Sequence, residues 1–279
     1  MNWDRWQSVT SVDGTTIAVH TLGSGPDLVV LGGALQAADN YVGLAGLLGR
    51  AFTVHVPDRR GRGGSGPHGE NYSLNQEVND LLAVLSATGA RAVFGHSYGG
   101  LVVLETMARG TDVVSASVFE PGVSINNSIP VGWLPDYRAM LAQGDPYGAF
   151  ACFIRSSPQS PAVTRLLPHG YLRLALHAMP RFRDRIAPLL EGNALEHEQV
   201  AERNDQFAAY RSIRGSVQLL AGTKSPDFVV TTMRTLNEVI PGSTATLIPG
   251  LSHMAPLAKR PTAVATAIAA HLPADHSRR

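Results

Sequence analysis

The run LVVL at residues 28–31 and the run VVSASVF at 113–119 carry almost no polar side chains. A strand with one wet face alternates apolar and polar residues. An unbroken apolar run instead marks a strand covered on both faces, as in a parallel sheet between two layers of helices. The same kind of run recurs along the chain and predicts strands at Trp6–Val12, Thr16–Leu22, Leu28–Leu31, Phe52–Pro57, Ala92–Gly95, Val113–Phe119, Val217–Ala221 and Thr244–Ile248. Asp13-Gly14 between the first two is a hairpin turn signal. The later strands are separated by helix-length segments, which requires parallel pairing through right-handed crossovers.

The helical segments have their own punctuation. Ser73 to Gln76 matches a capping box, Leu74, Val78, Leu81, Leu82 and Leu85 follow at helical spacing, and Gly89 stops the run. Further helices are predicted from Leu101 to Ala108, from Phe228 to Ile240 and from Ala263 to Leu272 after Pro261. Residues 122–212 break the alternation: prolines, aromatics, arginines and helix-like pieces such as Tyr171–Ala178 occur there without a convincing strand. That stretch is too long for a plain loop. It is expected to form a helical cap, or lid, over a core made of residues 1–121 and 213–279.

Composition excludes several classes of function. Lys plus Arg number 23 against 22 Asp plus Glu, so no overall field draws the protein to nucleic acid or an anionic membrane. No apolar run approaches the ~20 residues needed to cross a bilayer. Cys152 is the single cysteine, which fits a reducing compartment, and the opening MNWDRWQSVTSVDG lacks a signal-peptide pattern. A cytoplasmic globular protein, monomer or homodimer, is expected.

The stretch FGHSYGG at 94–100 places Ser97 between Gly95 and Gly99, where strand pattern gives way to helix pattern. A strand–Gly-x-Ser-x-Gly–helix turn lifts the serine clear of the backbone and aims the next helix's N-terminus at it. A hydroxyl there needs a base. His96 is expected to pack beneath the turn, whereas His253, in PGLSHMAP after the last strand, sits in a loop able to reach Ser97. The base needs an orienting carboxylate, and two loops offer one. Glu120 ends the sixth strand in VFEPG; Asp227 is the nearest acid in GTKSPD after the seventh, where Ser225 occupies the position at which an acid is common. A carboxylate at an apolar strand end is costly unless paired, which favours Glu120 and leaves Asp227 in reserve. The turn LGGALQ after the third strand suggests backbone N–H donors for an oxyanion hole, from Ala34 and, after the nucleophile, Tyr98.

Taken together, LGGAL, PDRRGRGGSG, GHSYGG and His253 resemble the α/β-hydrolase fold family across nearly the whole chain. The resemblance implies a mostly parallel eight-stranded sheet flanked by helices, with a helical cap after strand 6. A branch of that family carries its acid after the sixth strand, and VFEPG is similar to it. Within that branch the zearalenone-lactonase group makes esters and lactones the implied substrates. The implied chemistry is hydrolysis through an acyl-enzyme on Ser97, with His253 as base and Glu120 as acid, and with no metal or organic cofactor. Gly33, Trp133, Met140, Phe153 and Tyr171 are candidate substrate contacts. Arg59, Arg60 and Arg62 are read as a solvated loop around Asp58. The same scaffold also serves C–C hydrolases, perhydrolases and non-catalytic receptors.

Overall fold

A computed structural model describes residues 3–272. Strands β1 (Arg5–Thr10), β2 (Thr16–Leu22), β3 (Asp27–Leu31), β4 (Thr53–Pro57), β5 (Ala92–His96), β6 (Ser115–Phe119), β7 (Ser216–Gly222) and β8 (Thr244–Ile248) form one sheet in the order 1-2-4-3-5-6-7-8. β1, β2 and β4 pair antiparallel, and every pairing from β4 through β3 to β8 is parallel. β1 ends at Thr10 rather than at Val12, because Ser11 N–H already bonds Thr15 C=O at 2.8 Å to begin the turn.

The helices α1 (Val42–Leu48), α2 (Leu74–Thr88), α3 (Tyr98–Ala108), α9 (Asp227–Val239) and α10 (Thr262–His271) cover the two faces. One face packs β-strand side chains such as Val29 and Val118 against Val78 of α2, Val102 of α3 and Met233 of α9. The other packs Val30, Phe94 and Leu220 against Leu44 of α1 and Ile268 of α10. β3 to β6 are thus buried on both sides, which is why their sequences lack alternation. At the start of α2 the Gln76 side chain accepts the Ser73 N–H at 2.9 Å, and at its end Gly89 turns left-handed at φ 74°.

Between β6 and β7 lie α4 (Leu134–Ala142), α5 (Pro146–Ser156), α6 (Ala162–Leu166), α7 (His169–His177) and α8 (Leu190–Glu202). They share a separate apolar cluster around Trp133, Tyr137, Leu172, Phe182 and Leu190. Short 3-10 and π turns link them, and Phe207–Ser212 leads back to β7.

Charge ties this insertion to the sheet. Arg59, Arg60 and Arg62 are not solvated but 1–5% exposed, a correction to their sequence reading. The Arg59 guanidinium donates to Glu77 at 2.7 Å, to Glu196 of α8 at 2.8 Å, and to the carbonyls of Gly32 and Gly33 at 2.8 and 3.0 Å. Arg62 donates to the same Glu196 oxygen, and Arg60 grips both oxygens of Asp80 at 2.7 Å. Asp58 shapes the loop as expected, accepting N–H bonds from Ala38 and Gly64 at 2.8 and 3.1 Å. Burial pushes the Glu196 carboxyl up, but Arg59 and Arg62 outweigh that and hold it below its ordinary value.

Two guanidinium groups therefore depend on one insertion carboxylate. Breaking a buried pair from one side strands the other charge, at about 3–5 kcal/mol. Glu196→Ala should lower the unfolding free energy by that order in urea titrations, and Glu196→Gln by less because it keeps an acceptor.

Candidate active site

Ser97 joins β5 to α3 with φ 54° and ψ −122°, a left-handed conformation that L side chains rarely adopt. Such a residue costs of order 1–3 kcal/mol and persists only where its surroundings over-determine it. Here its N–H bonds Phe119 C=O at 3.0 Å, while its own carbonyl accepts from Gly100, Leu101 and Gly122 at 2.9, 3.2 and 2.8 Å. The turn also needs empty space beside it. A Cβ on Gly99 would come within 2.5 Å of Leu31 O and 2.6 Å of Gly32 O, and one on Gly95 within 2.7 Å of Gly100 Cα.

Glu120, also at positive φ (46°), follows β6 and is 3% exposed. Its Oε2 lies 2.9 Å from His253 Nδ1. Its Oε1 accepts the Gly222 N–H at 3.0 Å and the Ser225 hydroxyl. An ionised carboxylate only accepts, so Nδ1 of His253 carries a proton and Nε2 of the neutral ring keeps its lone pair. Asp227 stands elsewhere. It is the exposed first residue of α9, and its side chain makes no hydrogen bond to His253. Ser225, read in the sequence only as standing where an acid is common, donates its hydroxyl to Glu120.

His96 lies beneath the turn and is 2% exposed. Its hydrogen bonds leave one self-consistent set of protons. The carbonyl of His253, 2.9 Å from His96 Nε2, can only accept, so Nε2–H donates and Nδ1 accepts from the Tyr41 hydroxyl at 2.7 Å. The Tyr41 oxygen in turn accepts the Gly33 N–H at 2.9 Å. One buried chain thereby joins the turn after β3 to the loop carrying His253. The two imidazole centroids are 4.8 Å apart, which sets His253 beside the residue preceding Ser97. Tyr41 was not singled out in the sequence; nothing in its local pattern distinguishes it from an ordinary core tyrosine.

Ser97 Oγ and His253 Nε2 make no hydrogen bond among the described residues, and neither do the N–H groups of Ala34 and Tyr98. Gly33 spends its N–H on Tyr41, and a Cβ on Gly33 would meet Ser97 Cβ at 2.9 Å. Glycine therefore lets this turn abut the serine. The Tyr98 ring carries the Arg59 guanidinium 4.9 Å above it.

A cavity of about 60 Å³ opens at Ser97. Ala34, Ser97 and Tyr98 border it from the core, and Trp133, Phe153 and His197 from the insertion. His253 is not part of that wall; its side chain is 12% exposed at the edge of the site. Three sequence candidates do not line the cavity: Gly33 lies in the turn beside Ser97, Met140 packs against the insertion's own cluster, and Tyr171 of α7 is 59% exposed. Val229 and Met233 of α9 complete the apolar lining and were read in the sequence only as part of a helix. Among the described residues no group of three or more His, Cys, Asp or Glu side chains is arranged to hold a metal ion, and no helix is long and apolar enough to cross a membrane.

Several histidines are kept neutral. Burial, reinforced by His253, holds His96 well below its ordinary value; burial and Arg62 bring His68 to about 4; burial lowers His197. Below pH ~6.5 the unfolded chain takes up protons that these folded sites refuse, so stability falls as pH falls. Between pH 7 and 5.5 the unfolding free energy should drop by about 1 kcal/mol for each of His96 and His68, and further for His197. Urea titrations at the two pH values check this; a flat profile would mean that the buried rings protonate without unfolding.

A sequence model described as "Alpha/beta hydrolase family" matches residues 20–267. The chain is 35% identical to a non-heme haloperoxidase of Rhodococcus erythropolis over 104 residues, which is 36% of this chain and 38% of that protein. The curated relatives are matched over 28–57% of their own lengths. Among solved structures, an alpha/beta hydrolase from Sphaerobacter thermophilus DSM 20745 superposes with a TM-score of 0.79 at 29% identity, covering 94% of this chain and 98% of that one. The enol-lactonase from Burkholderia xenovorans LB400 superposes with a TM-score of 0.71 at 18% identity, covering 93% and 97%, a likeness of fold.

Proposed function

The chain belongs to the alpha/beta hydrolase family, and from that membership and the geometry at Ser97 we propose that it is a cofactor-independent serine hydrolase of carboxylic esters or lactones. The observation that carries this reading is the buried Glu120 carboxylate, 2.9 Å from His253 Nδ1, in a site that also presents an unengaged Ser97 hydroxyl. A buried carboxylate held by Gly222 and Ser225 fixes the imidazole's tautomer and stabilises the cation formed when that imidazole takes a proton.

In this mechanism Ser97 Oγ attacks the substrate carbonyl carbon as its proton passes to His253 Nε2. The carbonyl oxygen gains negative charge and is received by the free N–H groups of Ala34 and Tyr98, the latter at the positive end of α3. Collapse of the tetrahedral intermediate breaks the C–O bond, and His253 gives its proton to the leaving alkoxide. Water, deprotonated by the same imidazole, then cleaves the acyl-enzyme and restores Ser97. In a lactone the leaving alkoxide stays attached to the acyl chain, so one hydroxy acid is the product. The insertion acts as a cap that shapes and dries the cavity.

Similarity to the Rhodococcus haloperoxidase favours perhydrolysis as a second reading, in which hydrogen peroxide replaces water in the last step. Peracid formation from a carboxylic acid and peroxide tests it directly.

Turnover of short p-nitrophenyl esters should vanish in Ser97→Ala. Glu120→Gln should lose about 10³–10⁴ in kcat with its urea midpoint little changed, because the imidazole loses its orienting acceptor. Asp227→Asn should stay within about twofold of wild type. Wild-type protein that binds esters or lactones tightly without turning any over would replace the hydrolase reading by a receptor.

A further inference from the structure

His197 reaches the cavity from α8, four residues after Asn193. Its Nδ1 is 2.8 Å from the Asn193 carbonyl, which can only accept, so the ring's proton sits on Nδ1. Nε2 then presents a lone pair. Nothing among the described residues donates to it, although the ring retains some accessible surface where it borders the cavity. The ring cannot swing to find another partner: Trp133 and Phe153 meet it edge-on with centroids 5.0 and 5.4 Å away. Burial also keeps the imidazole neutral, so it stays an acceptor at neutral pH.

Ser157 and Gln159 are the other polar insertion residues in the same wall. Most other cavity residues are apolar, Val123, Ile129 and Met233 among them. An apolar wall that retains unanswered polar atoms pays in desolvation unless the bound molecule answers them. A plain alkyl ester cannot.

We propose that His197 Nε2 is the specificity-determining acceptor of this cavity, so that the preferred esters or lactones carry a hydrogen-bond donor, a hydroxyl or amide N–H, on the acyl part seated there. The proposal rests on the serine-hydrolase reading above and narrows its substrate class. His197 takes no part in the bond-making steps; it selects among acyl groups.

The test compares kcat/KM for p-nitrophenyl butanoate with its 2- and 3-hydroxy forms, and hexanoate with its 6-hydroxy form, at pH 7.5. Wild type should prefer the hydroxylated ester in at least one pair by about tenfold, the worth of one satisfied hydrogen bond. His197→Phe should bring that ratio to about one, with the larger loss in kcat/KM falling on the hydroxy ester. His197→Gln, which keeps an oxygen acceptor and serves if the phenylalanine variant does not fold, should retain part of the preference. Equal wild-type rates within every pair, or an unchanged ratio in both variants, overturns the proposal while leaving the hydrolase reading intact. Absence of turnover for every ester in the set removes both.

Discussion

The N–H groups of Gly100, Leu101 and Gly122 all donate to the backbone oxygen of Ser97, while its own N–H is tied to the end of β6. The conformation of Ser97 depends on this knot. It holds a non-glycine residue at φ 54°, where the side chain projects from the sheet edge instead of folding back. The knot in turn depends on parallel neighbours, because β3 and β6 flank β5 and bring Leu31, Gly32 and Phe119 to the places where their carbonyls meet the turn. The same registry brings the turn after β3 and the residue after β6 to the carboxyl end of the sheet, where open parallel sheets gather their functional loops.

Polar networks then fix what the strands only bring near. Glu120, Gly222, Ser225 and His253 form one cluster, and Gly33, Tyr41, His96 and the His253 carbonyl another. Both end on His253, one at the ring and one at the backbone. Each bond in the second chain has a single allowed direction, so the group pattern is rigid without any ionised member. Buried polar chains of this sort are costly when incomplete and specific when complete.

The insertion is held by a different force. Arg59 and Arg62 reach across from the core to Glu196, and Arg59 also binds the carbonyls of Gly32 and Gly33 beside the serine. One guanidinium therefore touches both α8 and the turn that leads to Ala34.

The apolar runs, the capping box at Ser73 and the glycines around Ser97 state the sheet, the helices and the serine turn locally, since backbone sterics and periodicity act over a few residues. That Glu120 must be paired was legible too, because a carboxylate ending an apolar strand needs a partner. Other features were not. A buried, paired arginine reads in sequence like a solvated one, and Arg59 meets Glu196 across 137 residues. Met140 and Tyr171 look as suitable for a substrate wall as Trp133 and Phe153, yet only the last two face the cavity. Local chemistry thus determined which elements form and where the Ser97 turn stands. Tertiary packing alone decided which distant charges pair and which side chains enclose the site, because those contacts depend on how the insertion's helices lie across the sheet and not on any neighbouring residue.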